Sequence, residues 1–106
     1  MERLSFRAAD AVRPDDERLV GVSIARLVRG ASFDAAVFHI EPGGRIARHP
    51  TVGRQLLAVL EGSGHVSGGD GAEFAVAAGD AVIWEQGERH ETRSDRGMTA
   101  LVIEGS

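Results

Sequence analysis

Apolar residues in this chain come in short bursts cut by glycine. Six segments carry the pattern: Leu19–Val28, Ala35–Ile40, Gln55–Leu60, Glu73–Val76, Ala81–Trp84 and Thr99–Glu104. Between them stand turn signals such as "VRPDDE", "EPGG", "EGSG", "SGGDGAE", "AAGD" and "SDRGM". Short strands at roughly 8–12-residue spacing, punctuated by glycine turns, predict an all-β sandwich or barrel. No segment holds a 3.6-residue period, and "SFRAADAVR" offers one helical turn at most. With no linker or low-complexity stretch, the 106 residues read as a single domain.

The faces of two regions add to this. Leu19–Val28 alternates, placing Val20, Val22, Ile24 and Val28 on one face and Ser23, Ala25 and Arg29 on the other. By contrast "LLAVL" and "AVIW" are apolar on both faces, as strands covered from both sides are. One short chain has little left to cover an outer wall. The expectation is a homodimer, with Leu4–Ala8 and Leu19–Val28 as the contact segments.

Composition narrows the function. The net charge of -4 argues against nucleic acid, which draws its affinity from a clustered basic face. All twelve basic residues are arginines, scattered rather than grouped. No apolar run approaches the roughly 18 residues of a membrane span, and "MERLSFRAAD" lacks the apolar core of a signal peptide. Without cysteine there is no disulfide, no thiolate nucleophile and no sulfur-bound metal, and a cytoplasmic location is the default.

Two stretches carry chemistry. In "GGRIARHPTVGRQLLAVLEG", Gly43 is followed after five residues by His49, with Thr51, Gln55 and Gly62 beyond it. In "GDAVIWEQGERHETRS", Gly79, Gly87 and His90 recur at similarly fixed spacing, with Glu85 and Ser94 between and after them. The first resembles motif 1 of the cupin superfamily, G(X)5HXH(X)3,4E(X)6G, with Thr51 at the second histidine and Gln55 at the glutamate. The second resembles motif 2, G(X)5PXG(X)2H(X)3N, with Glu85 at the proline and Ser94 at the asparagine. Motif 1 spans about 43–62 and motif 2 about 79–94, so the likeness covers roughly half of the chain.

This resemblance implies a jelly-roll barrel of two antiparallel sheets with a cavity at one mouth. It implies that His49, Gln55 and His90 converge there, and that N-terminal strands within residues 1–30 join a partner's sheet. The usual ligand set of three imidazoles and a carboxylate suits Ni, Zn, Cu, Fe or Mn; here two imidazoles and an amide remain. The expectation is a weakened divalent-metal site at His49, Gln55 and His90, with Glu85, Glu88 or Glu91 as candidates to enter it or to accept from His90.

Strand parity places Leu57 and Val59 on the same face as Gln55, giving the pocket a polar mouth and an apolar floor. Thr51 reads as a hydrogen-bonding group of the pocket. Arg45 shares extended-strand parity with His49 and so could reach an anionic substrate, although an exposed charge is the commoner fate of such a residue. Glu88 completes the candidate ligand-binding set. His39 and His65 match no motif position and read as strand residues at a solvated edge; Trp84 reads as core or interface.

Two functions fit. The first is a small-molecule-binding module. The second is an enzyme of dioxygenase, isomerase or lyase type acting on a small polar substrate, using the metal or using His49 or His90 as general acid or base. Fold alone decides between neither, because this architecture hosts both.

Overall fold

The structure, a computed structural model, describes residues 1–105. Seven strands make the fold: β1 (Leu19–Arg29), β2 (Phe33–Pro50), β3 (Gln55–Ser67), β4 (Glu73–Ala77), β5 (Ala81–Trp84), β6 (Arg89–Ser94) and β7 (Met98–Gly105). The helical turn expected near the start is a three-residue 3₁₀ turn, Ala8–Asp10, and is the only helix among the described residues.

Two long strands turn corners and thereby close the barrel. β2 pairs with β7 along Phe33–Ile40 and with β6 along Gly44–Pro50. β3 pairs with β7 along Gln55–Gly62, then with β6 and β4 from Ser63 onward. The circuit β2–β7–β3–β6 is complete, with β1 extending one sheet beside β2 and β5 lying beside β3. Each corner falls at a glycine with positive φ, Gly43 at 83° and Gly62 at 78°. A Cβ on Gly62 would lie 2.2 Å from the Gly97 carbonyl oxygen, so the corner rejects any side chain. That is why the motif frame holds glycine here.

The inward faces pack into one core of Val22, Ile24, Ile40, Ile46, Leu57, Val59, Val66, Trp84, Met98 and Val102. Trp84 is core, its indole N–H donating to the Ser67 carbonyl. The alternation expected for β1 holds at Val22 and Ile24 and fails at its ends. Val20 and Val28 are exposed, because the register with β2 shifts between Val20 and Val22 and again between Arg26 and Val28. A one-residue bulge sends the following side chain to the opposite face.

The outer face of the β1–β2–β7–β3–β5 sheet is apolar. One cross-strand row runs Val28, Ala35, Ile103, Leu56, Ile83, with Val28, Ile103 and Ile83 open to solvent. Residues Leu4–Phe6, expected as part of a strand, form no strand in the single chain. The arm is tied instead to its own sheet, where His39 Nε2 donates to the Phe6 carbonyl at 2.7 Å. His39 is therefore no solvated edge residue: it sits on β2 between β1 and β7. Among the described residues, no helix is long and apolar enough to cross a membrane.

Candidate functional site in the barrel mouth

β2 delivers His49 and β6 delivers His90 to directly opposed positions of one antiparallel pair. Gln55 opens β3, opposite Glu104 of β7 and Trp84 of β5. All three candidate ligands from the sequence line one cavity of about 300 Å³. Its floor is Ile24, Phe38, Ile46, Leu57 and Val102, and its rim adds Asp16, Arg18, Arg26 and Glu104. The polar mouth and apolar floor expected from parity are both there.

His49 reaches the cavity through an irregularity. The β2–β6 register shifts between Ile46 and His49, so both line the cavity although three residues apart. The same bulge breaks the parity that tied Arg45 to His49. Arg45 is exposed and does not line the cavity.

The two histidines differ in their bonds. His49 Nδ1 lies 2.7 Å from the Ala47 carbonyl and donates to it, so Nε2 is the acceptor of the neutral tautomer. His90 is 4% exposed, and neither of its ring nitrogens has a hydrogen-bond partner. Its ring packs against His49 with centroids 4.5 Å apart and against the edge of Trp84 at 4.4 Å. Burial and the neighbouring His49 push the His90 pKa down to about 4, against the pull of Glu88, so the ring is neutral at pH 7. A neutral imidazole has one donor and one acceptor, and leaving a buried one unpaired costs about 1–3 kcal/mol. Such a group is open to a hydrogen-bond partner.

The remaining expected site residues lie elsewhere. Thr51 is buried, but its hydroxyl donates to the Glu88 carbonyl at 2.6 Å and fixes the 85–88 turn. Val59 is core. Glu88 accepts the backbone N–H groups of Gly69 and Glu85, which hold its carboxyl below the usual range. Glu85 pairs with Arg54 on the surface, and Glu91 has no bond to His90. Ser94, at the asparagine position of the motif, accepts from the Gly97 N–H and donates to the Ser63 carbonyl, closing the turn before β7.

Four rim residues escape a reading centred on the motifs. Asp16 and Arg18 pair with each other at 2.8 Å, and Arg18 holds the Asp16 carboxyl down to about 2. Glu104 accepts from Gln55 Nε2 at 2.9 Å. Arg26 has the same inward parity as Val22 and Ile24, a signal present in the alternation of β1.

The donor set decides how far the site suits a metal. His49 is oriented as a ligand would be, and the Gln55 oxygen is free, but the amide is neutral and its nitrogen is held by Glu104. Among the described residues, no three His, Asp or Glu side chains converge into a metal-holding group. Two imidazoles and an amide do not fit a resident dication of the kind the family's full ligand set holds.

Comparison with known proteins agrees with the fold. The polyketide cyclase RemF from Streptomyces resistomycificus superposes with a TM-score of 0.84 at 21% identity, over 99% of this chain and 79% of that one. An RmlC-like cupin from Shewanella frigidimarina gives 0.81 at 21% identity, over 99% and 91%. A cupin-2 domain protein from Rhodospirillum rubrum gives 0.78 at 23% identity, over 91% and 67%. No curated protein matches the chain. The Cupin domain family (Cupin_2) matches residues 36–104, well over half of the length and inclusive of both histidine motifs. The chain belongs to the cupin family.

Proposed function

We propose that this cupin is a small-molecule-binding protein that takes its ligand directly onto the His49–His90 pair, without a resident metal. One observation carries the reading: His90 is buried beside a ligand-sized cavity with both ring nitrogens unpaired. A hydroxyl or carbonyl on the ligand supplies what His90 lacks, while its apolar body covers Ile24, Leu57 and Val102. The His49 ring screens His90, so entry turns His49 away from the Ala47 carbonyl.

A catalytic reading shares the pocket. His90, neutral at pH 7 with its pKa pushed down to about 4, can accept a proton only as a weak base, and one similar structure is a polyketide cyclase while another is a predicted oxalate decarboxylase from Thermotoga maritima. In that reading His49 or His90 moves a proton on the bound molecule. A divalent cation on His49, Gln55 and His90 would require a donor set stronger than the one present.

The test is a fragment titration followed by NMR on protein stripped with EDTA. Binders should shift the methyl signals of Leu57 and Val102, and His90→Leu should weaken them about tenfold, the loss of one hydrogen bond to a buried group. Fragments that leave these methyls unmoved, or that bind His90→Leu equally well, contradict the reading. We further propose that the outer row from Val28 to Ile83 is covered by a second copy of the chain; a monomer mass by light scattering at micromolar concentration refutes this.

A further inference from the structure

The rim of the mouth holds four charged side chains, and only one of them is uncommitted. Asp16 is bound to Arg18 through two contacts, Nε to Oδ1 at 3.1 Å and Nη2 to Oδ2 at 2.8 Å. Glu104 accepts from Gln55. Arg26 is exposed, lines the cavity and makes no ion pair and no side-chain hydrogen bond among the described residues. Arg26 and Asp10 also line a second groove, beneath the N-terminal arm, where Asp10 accepts from the Ser5 hydroxyl.

Register shows what Arg26 stands over. It pairs with Ala36, which pairs with Val102, which pairs with Leu57. Arg26 therefore ends the row that carries two residues of the apolar floor, Val102 and Leu57. One step deeper, Ile24 pairs with Phe38, and both line the same cavity. A cationic fork at the edge of an apolar trough is complementary to an anionic head on an apolar body.

We propose, resting on the small-molecule reading above, that the ligand is a small monocarboxylic acid with an aryl or branched-alkyl body, its carboxylate held by Arg26. A planar guanidinium matches a carboxylate with two parallel hydrogen bonds. A dianion such as a phosphate monoester is disfavoured, because Asp16 and Glu104 share the rim and repel a second negative charge. The cavity of about 300 Å³ limits the body to about one ring. The role expected of Arg45 thus falls to Arg26, beyond the bulge between Val20 and Val22 in the β1–β2 pairing.

The alternative for an inward charge on an edge strand is protection against edge-to-edge pairing, and β1 is an edge. Benzoate and benzyl alcohol separate the cases, being one shape with and without the anion. Both are titrated by calorimetry into EDTA-treated wild type, Arg26→Gln and Arg26→Lys, with melting curves to confirm that each variant folds. Wild type should prefer benzoate by about tenfold, Arg26→Gln should erase that preference while keeping benzyl alcohol affinity, and Arg26→Lys should fall between. Added salt should weaken benzoate alone. Equal binding of the two compounds, unchanged by Arg26→Gln, overturns the carboxylate assignment and leaves the pocket reading standing. Binding of neither compound overturns both. Self-association of Arg26→Gln with unchanged benzoate affinity assigns the residue to edge protection and also overturns the proposal.

Discussion

Among the described residues, His39 and His90 line two different cavities, and they are in opposite states. In the larger cavity, about 500 Å³ between the N-terminal arm and the outer sheet, His39 donates from Nε2 to the Phe6 carbonyl and Nδ1 accepts from the Thr99 hydroxyl at 3.4 Å. Both nitrogens are occupied, and the ring works as a clasp. In the smaller cavity, at the mouth, His90 is more deeply buried and has neither nitrogen occupied. Size points to the first cavity and unmet bonding to the second. A satisfied histidine has nothing left to offer a ligand, whereas an unsatisfied one carries a cost that a ligand removes. Bonding state, not volume, is the ground on which the mouth is the proposed site.

The walls of the two cavities should differ most. Leu57, in the mouth floor, is 2% exposed, while Leu60, beside the arm, is 43% exposed. Leu57→Ala should cost about 2–5 kcal/mol in chemical denaturation and Leu60→Ala no more than about 0.5 kcal/mol. Similar losses at both would make the arm cavity as much a part of the packed core as the mouth.

Acid should act through His90 next. Unfolded, this imidazole takes a proton near 6.5; folded, burial and His49 delay it to about 4. Between those values the unfolded chain binds more protons, so stability falls as pH drops from about 6.5 to about 4, by at most about 3 kcal/mol. Asp16 and Glu88, both held below their ordinary range, lose their contributions at lower pH, so the His90 share is the difference between wild type and His90→Leu. A difference that stays flat across this window contradicts a buried, neutral His90.

Swapping the histidines for leucine should give opposite signs at pH 7.5. His39→Leu removes a bond to the solvent-exposed Phe6 carbonyl and should destabilise by about 0.5–1 kcal/mol, whereas His90→Leu removes an unpaired polar group and should be neutral or stabilising by about 1 kcal/mol. Equal destabilisation by both would mean that His90 is bonded in solution, to a buried water for example. The smallest effect concerns metal. Protein purified without added metal should carry less than one equivalent by elemental analysis, and Gln55→Glu, which restores an anion beside Glu104, should raise zinc affinity by calorimetry. Stoichiometric metal in wild type, lost in His49→Ala and His90→Ala, would overturn the metal-free reading.

Much of this was legible in the sequence. The glycine frames placed His49, Gln55 and His90 on one cavity, and alternation placed Leu57 on its floor. β6 was recognisable as a motif but hidden as a strand, because its inward residues are His90, Thr92 and Ser94 and apolar periodicity detects only apolar faces. The bulges at Gly21, between Arg26 and Val28 and between Ile46 and His49 reversed the faces of Val20, Val28 and Arg45. Parity counts residues and cannot see a residue left out of the ladder. Asp16, Arg18 and Glu104 reach the rim through contacts between segments distant in sequence, which no local pattern records.

The most direct measurement is a long-range ¹H–¹⁵N correlation of the four imidazoles in EDTA-treated protein, recorded at pH 7.5 with and without a fragment that shifts the Leu57 methyls. His90 should be neutral with two nitrogens that change on binding, His49 should change as its ring turns from Ala47, and His39 should keep its Nε2–H tautomer throughout. A His90 that stays unchanged while the fragment binds, or a response confined to His39, would contradict the proposed site.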